Sequence, residues 1–274
     1  DSTQLSTATQ VRQAANGLLS SPRATTQVQK LHGLWLGYAK LPAGDTLSAA
    51  MKLEADTLVK RILIDEKKPW QELFTSRQTT INNTLGSVYD IQGLATSPTL
   101  VNFPANRQGI LSTSAFLSVA PKFNDTSPTM RGKFIAERLL CQVVLPPPPD
   151  SNVDSPPPVV AGQPDCKVNR YEAHRRQGTS CFVCHQQMDP IGFGLERFDR
   201  TGKYREYDYN ADGTLKMTCQ IEGKGQILGS NNFNGPSELS EVLIRSNDFK
   251  NCFVRQVYRF GMGQQPSLSD RDFI

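Results

Sequence analysis

The residues with the clearest chemical potential lie in one pentapeptide, Cys181-Phe182-Val183-Cys184-His185. Two thiols three positions apart and an adjacent imidazole fit on about one turn of a helix. This Cys-x-x-Cys-His pattern is a signature of c-type haem attachment. In such a site Cys181 and Cys184 each bond a vinyl group of the porphyrin, and His185 ligates the iron. The pattern predicts one covalently bound haem c.

Two other kinds of site share parts of this pattern. A zinc site would need two more ligands, which His174, Cys166 or Cys219 would have to supply, and none lies at the spacing of a second ligand pair. A thioredoxin-like redox pair would need a surrounding βαβ unit, which the sequence does not predict. Because the pentapeptide is short, both remain alternatives to haem.

The segments on either side of the pentapeptide must position it. On the N-terminal side, Tyr171 and His174 lie three residues apart on a short predicted helix that Gly178 ends. On the C-terminal side, residues 189–199 read DPIGFGLERFD. Proline cannot donate a backbone hydrogen bond, so we expect Pro190 to end the attachment helix.

We expect residues 189–199 to form a wall of the haem pocket, with glycines that let the backbone approach the porphyrin and apolar side chains that exclude water. These residues are Gly192 and Gly194, and Phe193, Leu195 and Phe198. Asp189 and Asp199 are expected to cap helices. The alternative is that they lie near the haem propionates, through Arg197 or Arg205.

A proline-rich run at residues 145–165 divides the chain. Proline lacks an amide donor and fixes φ, so we expect an extended segment. We interpret it as a semi-rigid connector, with a ligand for a proline-binding partner as the alternative. The predicted domains are a helical domain at 1–144, this linker, a haem domain at 166–230, and a C-terminal helical domain at 231–274 that packs on the haem domain.

The first half has the periodicity of amphipathic helices. One apolar stripe recurs at three- and four-residue steps, and Pro69 should stop its helix. A second stripe ends near Cys141. The stripes are Met51, Ala55, Leu58 and Ile62, and Met130, Phe134, Ile135 and Leu139. His32 lies beside aromatic residues and is expected to be a hydrogen-bonded core residue.

The composition indicates a globular protein that binds neither nucleic acid nor a bilayer. The net charge of +4 is not gathered into a basic stripe. Charged residues interrupt every apolar run before the ~18 residues that suggest a membrane span, so we expect no transmembrane segment. The sequence begins at Asp1 without a basic-then-apolar leader, so for an exported protein we expect that a signal has been removed or that this is a fragment.

Four of the six cysteines lie outside the pentapeptide, at Cys141, Cys166, Cys219 and Cys252. An even number can form two disulfides in any of three connectivities. Disulfides persist in oxidising compartments, so we expect the periplasm or the outside of the cell.

Residues 208–219 resemble the start of a calcium-binding loop, because Asp208, Asn210 and Asp212-Gly213 have its spacing. Cys219, however, stands at position twelve, where a bidentate Glu is required. A hairpin turn at Asp212-Gly213 is the simpler interpretation, and bound calcium is the alternative.

Much of the chain resembles the planctomycete-type cytochrome c proteins. CFVCHQQMDPIGFGLERFDRTGKYR resembles their haem-binding C-x-x-C-H, followed by D-P-x-G-x-x-x-E-x-F-D and G-x-x-R. SPTMRGKFIAERLLCQVVLPPPP resembles the approach to that domain, and LHGLWLGYAKL and RQGILSTSAFL resemble the preceding helical domain. FNGPSELSEVL and NCFVRQVYRFGMGQ resemble the C-terminal companion domain. Members are typically longer at the N-terminus, so we expect a leading part to be missing.

The resemblance implies a disulfide pairing and a second iron ligand. Cys141 and Cys252 fall in family-like motifs, so we expect them to pair, which leaves Cys166 with Cys219. His174 matches a histidine that the family places just before the cytochrome motif, which makes it the first candidate for the distal ligand.

Two methionines are the alternative distal ligands. Met217 and Met262 are named because c-type haems often take a downstream methionine. Met188 follows His185 by three residues, on the same side of the haem, and is expected to be a packing residue.

We therefore predict a mainly α protein, with a helical domain and a cytochrome c-like haem domain that carries a small β-hairpin insertion. The expected function is electron transfer, as a subunit or module of a larger redox assembly with a redox partner protein. One alternative is a haem enzyme of the peroxidase or oxidase type, with the helical half as substrate domain. The other is a structural or surface protein that haem stabilises.

Overall fold

The computed structural model describes residues 5–149, 151, 153, 155–229, 231–267 and 270. Within these ranges the protein is mainly α-helical, which confirms the predicted fold class. The helices are α1 (Ala8–Leu19), α2 (Pro22–Trp35), α3 (Thr46–Lys60), α4 (Glu72–Thr75), α5 (Asn83–Tyr89), α6 (Ser114–Leu117), α7 (Pro128–Leu139), α8 (Lys167–Arg170), α9 (Glu172–Arg175), α10 (Phe182–Phe193), α11 (Gly235–Arg245) and α12 (Asn247–Met262).

Strands occur only as antiparallel pairs in the part of the chain that the structure describes. They are β1 (Gln78–Ile81) with β2 (Thr99–Asn102), β3 (Tyr207–Tyr209) with β4 (Leu215–Gln220), and β5 (Lys224–Ile227) with β6 (Asn231–Asn234). The β3–β4 pair confirms the hairpin predicted at Asp212-Gly213, where Gly213 has a φ of +83°. None of the helices within the described ranges combines the length and apolar character needed to cross a membrane.

The first predicted stripe lies on α3 and on the segment that directly continues it, and its four members are buried. The helix continues past Lys60 as a π-helical segment, Arg61–Asp65, and has ended before Pro69. His32 is buried as predicted, and its Nδ1 lies 2.8 Å from the carbonyl oxygen of Val28. Burial lowers the pKa of His32 to about 4, so this side chain is a neutral core residue.

Helices α7 and α10 touch through their backbones. A Cβ added to Gly132 of α7 would lie 1.8 Å from the carbonyl oxygen of Met188 on α10. A Cβ added to Gly192 of α10 would lie 1.8 Å from the carbonyl oxygen of Pro128 on α7. Only glycine fits at such contacts, so these two residues fix how closely α10 lies on α7.

Two predictions about residues 189–199 are wrong. Pro190 lies inside α10, which continues to Phe193. Proline removes one helical hydrogen bond, but the close contact between α7 and α10 holds the helix together on both sides of it. The rest of the segment faces the core, because Gly194 abuts the ring of Phe233 and Leu195 is buried in the main apolar cluster.

Both implied disulfides are present. Cys141 bonds Cys252, and Cys166 bonds Cys219. The first joins the end of α7 to α12, and the second joins the start of α8 to β4. The elements before and after the attachment helix are therefore tied covalently to the rest of the fold.

The C-terminal part packs on the first half of the chain as well as near the haem motif. Phe253 of α12 stacks on Trp70 with ring centroids 3.9 Å apart, and Phe249 stacks on Trp35 at 5.9 Å. Strand β5 meanwhile packs on Gly194, just after α10. The predicted domain boundaries stay predictions.

Candidate functional site

The pentapeptide is wound into a helical turn at the start of α10. The amide of His185 donates to the carbonyl oxygen of Cys181 at 3.1 Å. Cys181 is exposed and Cys184 is half-buried, and both carry free thiols. The other four cysteines are paired, so these two thiols are the ones left for chemistry.

His185 is oriented by a buried carboxylate one helical turn further along α10. Its Nδ1 lies 3.0 Å from both Oδ1 and Oδ2 of Asp189, whose side chain is fully buried. The hydroxyl of Thr129 on α7 donates to Oδ1 of Asp189 at 2.7 Å. A carboxylate can only accept, so the imidazole proton stays on Nδ1 and the lone pair of Nε2 is free to bind a metal.

His174 lies against His185, with ring centroids 4.3 Å apart. The ring of Tyr171 meets His174 edge-on at 5.5 Å. Burial and the neighbouring imidazole of His185 lower the pKa of His174, which favours the neutral, metal-binding form. Its buried Nδ1 has no hydrogen-bond partner among the residues that the structure describes. The potential ligand atoms of His174, His185 and Asp189 lie within 4.8 Å of one another.

The methionines named as alternative ligands lie elsewhere. Met217 on β4 and Met262 at the end of α12 are 65% and 60% exposed. Neither lines the cavity beside His185. Met188 is buried, as expected of a packing residue, and it faces this cavity. Of the three distal candidates, His174 alone stands beside His185.

A cavity of about 460 Å³ opens between α10, α7 and the proline-rich segment. Its lining is Lys122, Phe123, Ser127, Thr129, Met130, Lys133, Val144, Leu145, Pro147, Pro148, Ser151, Val153, Ser155, Pro156, Pro157, Pro158, Tyr171, His174, Ser180, Cys181, Cys184, His185 and Met188. The volume falls in the range of ~300–1,000 Å³ that is usual for cofactor pockets. Both free thiols and both histidines therefore face one apolar space.

The proline-rich segment is a wall of this cavity as well as a connector. Its described residues form neither helix nor strand, as the prolines predict. Prolines lose little side-chain entropy on burial, so they build a rigid apolar surface at low cost. The cavity beside His185 is thus lined by described residues of the proline-rich segment and not by residues that follow Asp189, where the sequence predicted a wall.

The charged side chains that line the cavity, apart from histidine, are Lys122 and Lys133. Lys133 also approaches Glu137 at 3.8 Å across the surface of α7. The described part of the lining thus holds two lysines and no carboxylate, which suits an anionic ligand such as a haem with two propionates. The two arginines named in the alternative to helix capping do not line this cavity: Arg205 is bound to Glu196, and Arg197 donates to the carbonyl oxygen of Ile221.

The contacts of the cysteines and the strand pairing argue against the two alternatives to haem, a zinc site and a thioredoxin-like redox pair. Cys166 and Cys219 are bonded to each other, which removes two of the three further zinc ligands that the sequence offered. The strand pairs are all antiparallel in the described residues, whereas a thioredoxin-like pair needs a parallel βαβ unit. The donors present, two free thiols and an oriented imidazole at an apolar cavity with two lysines, fit a c-type haem.

The orienting role of Asp189 was not predicted. We expected this residue to cap a helix, but it binds two side chains instead, since His185 and Thr129 take both of its oxygens. The signal that was available is the spacing of four from His185 to Asp189, which places two residues on one helix face. Thr129 could not be found in this way, because its contact depends on how α7 crosses α10.

Three protein-family models match successive parts of the chain. Residues 1–91 match a protein of unknown function (DUF1592), residues 107–208 another (DUF1588), and residues 229–274 a third (DUF1585). These are planctomycete cytochrome-type domains, which agrees with the resemblance at the level of the family. The Cys-x-x-Cys-His segment lies within the second match. No curated protein and no solved structure matches the chain.

Proposed function

We propose that the chain is a c-type cytochrome that carries one covalent haem and passes electrons as a module of a larger redox assembly. The observation that carries this proposal is the pair of free thiols, Cys181 and Cys184, at the same cavity as an imidazole whose Nδ1 proton is held by Asp189. The matches to cytochrome-type domains support it at the family level.

Each side chain has a defined part in holding the haem. Cys181 and Cys184 would hold the group covalently: each S–H bond would add across one vinyl C=C bond, which forms one C–S and one C–H bond and needs no oxidant. His185 would offer Nε2 to the iron, and Lys122 and Lys133 would offer charge to the propionates. When bound, the haem supplies a one-electron couple at iron.

The location that fits this function is the periplasm or the outside of the cell. The two disulfides indicate a compartment outside the cytoplasm, where such bonds persist. A redox partner protein would meet the haem at the exposed start of α10, where Cys181 and Val183 face solvent.

Haem retention in a denaturing solvent tests the proposal. Protein purified from its native source should keep its colour after denaturation and acid–acetone extraction, because thioether bonds survive this treatment. The double variant Cys181→Ala, Cys184→Ala should lose the colour, whereas Cys166→Ala, Cys219→Ala, which removes two cysteines elsewhere, should retain it. A colourless native protein with stoichiometric zinc would contradict the proposal.

The enzyme alternative depends on the second axial position, since two protein ligands leave no place for peroxide or oxygen. With their rings in contact at 4.3 Å, His174 must shift before a haem can lie between it and His185. If His174 is the distal ligand, the wild type is low-spin, and His174→Ala becomes high-spin and binds carbon monoxide. Met217→Ala and Met262→Ala should leave the spectrum unchanged. A wild type that is already high-spin and reacts rapidly with peroxide would favour the enzyme.

A further inference from the structure

We infer that Asp189 and Thr129 set the reduction potential of the haem through His185, and that they act in opposite directions. The inference rests on the proposed function, because it needs iron on Nε2 of His185. Both are positioning and tuning residues, since neither side chain reaches the proposed iron.

The Nδ1 atom of His185 shares a bifurcated hydrogen bond between the two carboxylate oxygens of Asp189. The imidazole Nδ1 lies 3.0 Å from each carboxylate oxygen, and the spacing of four residues on α10 keeps the two side chains on one face. The Asp189 side chain is fully buried, so water does not compete for it. Hydrogen bonds to a charged group are stronger than neutral ones, and more so where water is excluded.

Within the described chain, the ion-pair contact of Asp189 is with His185. Lys122 and Lys133 line the neighbouring cavity, but the contacts that bind Asp189 come from His185 and Thr129. The negative charge is therefore directed at the imidazole instead of being neutralised by a lysine or arginine. A metal-binding imidazole that donates to a carboxylate becomes a more basic ligand, which favours ferric over ferrous iron.

Thr129 weakens this effect. Its hydroxyl donates to Oδ1 of Asp189 at 2.7 Å and takes part of the negative charge that would otherwise face His185. The residue lies in the first turn of α7, which the hydroxyl of Ser127 caps by accepting from the amide of Met130. The contact of Pro128 with Gly192 fixes this turn against α10. The position of α7 thus determines how much charge His185 receives.

Spectroelectrochemical titration of three holoprotein variants tests the inference. Asp189→Asn keeps the shape but removes the charge, so the iron reduction equilibrium should move toward ferrous by about tenfold, which is about 59 mV for a one-electron couple. Thr129→Val removes the competing donor, so the equilibrium should move several-fold toward ferric. Asp199→Asn, the same exchange at a residue that accepts from Thr201 and Lys203 in a turn, should leave it unchanged.

The opposite signs separate tuning from structural damage. If the two variants only loosened the haem pocket, the direction of the potential shift would not depend on whether the carboxylate charge is removed, as in Asp189→Asn, or freed from its competing donor, as in Thr129→Val. Equal directions for Asp189→Asn and Thr129→Val, or an Asp189→Asn shift no larger than that of Asp199→Asn, would overturn the inference while the protein still carries haem. A wild type without haem would overturn the proposed function, and the inference with it. The electron paramagnetic resonance signal of the ferric form should change with Asp189→Asn and not with Asp199→Asn.

Discussion

Asp189 and Glu196 are two buried acids on either side of the end of α10, and α7 contacts them in different ways. The exposed fractions of the two side chains are 0% and 2%. From α7, Thr129 offers Asp189 a hydroxyl, and Arg131 offers Glu196 a guanidinium at 3.0 Å. Lys167 and Arg205 add two more cations to Glu196, at 2.9 and 3.2 Å.

The difference separates a charge that is neutralised within the fold from one that faces His185. Burial alone would raise the pKa of Glu196, but Lys167, Arg131 and Arg205 outweigh it and lower the pKa to about 2. These cations come from separate elements, so the cluster ties α7, α8 and the chain before β3 together. Among the described residues, Asp189 has no lysine or arginine at ion-pair distance, and its ion-pair contact is with His185. A buried carboxylate without such a partner is costly, and its position beside the candidate iron ligand supports the proposal that it acts on that residue.

The largest expected effect on stability is that of Glu196→Gln. Removing the Glu196 charge takes away the carboxylate that pairs with Arg131 and leaves Arg205 only its longer contact with Asp125, at 3.8 Å, among the described residues. Breaking a buried ion pair in this way costs about 3–5 kcal/mol. Urea unfolding should show this loss in the free energy of unfolding. If the free energy of unfolding falls by no more than it does for a surface substitution, the cluster does not hold the elements together.

The pH dependence of stability should follow Glu196. A carboxyl whose folded pKa is depressed stabilises the fold above its unfolded pKa, and this contribution is lost as the pH falls to the folded pKa. The window runs from about 4.5 down to about 2 and is worth up to about 3 kcal/mol. Thermal unfolding between pH 6 and 2 should show the decline, and Glu196→Gln should flatten that part of the curve. A variant with the same slope as the wild type would count against this assignment.

Gly132→Ala should disturb both acids at once, because the new Cβ would meet the carbonyl oxygen of Met188 at 1.8 Å and force α7 off α10. Overpacking of this kind costs about 1–3 kcal/mol. Gly17→Ala is the matched control, since nothing lies within 4 Å of that Cβ on the exposed helix α1. It should stabilise slightly, by about 0.5–1 kcal/mol. Equal effects of the two variants in urea unfolding would show that the close contact is not needed.

The smallest expected loss of stability is that of Asp189→Asn, at about 1 kcal/mol, because the amide can still accept from His185 or Thr129. The free energy of unfolding of the haem-free protein measures it. A loss as large as that of Glu196→Gln would place Asp189 among the structural charges and remove the contrast between the two.

The sequence predicted local features better than contacts between distant elements. The stripe on α3 and the hairpin at Asp212-Gly213 depend on periodicity and turn chemistry, and both are confirmed. The two disulfides followed from the family resemblance, because composition alone left three connectivities open. Because proline cannot donate a backbone hydrogen bond, the local sequence predicts that Pro190 ends a helix. The packing of α10 on α7 overrides this local preference.

The same contrast between local features and contacts of distant elements holds for the candidate site. The haem-attachment pattern could be recognised in the sequence because its three residues, Cys181, Cys184 and His185, lie within one pentapeptide. Their binding of haem stays a prediction. The proline-rich wall, Lys122 and Lys133 meet these residues only after the chain has folded back over α7. No spacing in the sequence predicts that the chain folds back in this way. The sequence therefore indicates residues 189–199 as the wall, whereas described residues of the proline-rich segment line the cavity.

The mass of the intact, denatured native protein tests the central claim most directly. The addition of two thiols to two vinyl groups loses no atoms, so the haem should add its full mass to that of the polypeptide. After digestion, the added mass should lie on the peptide that contains Cys181 and Cys184. A native protein with the mass of the chain alone, or with a third disulfide between Cys181 and Cys184, would contradict the account.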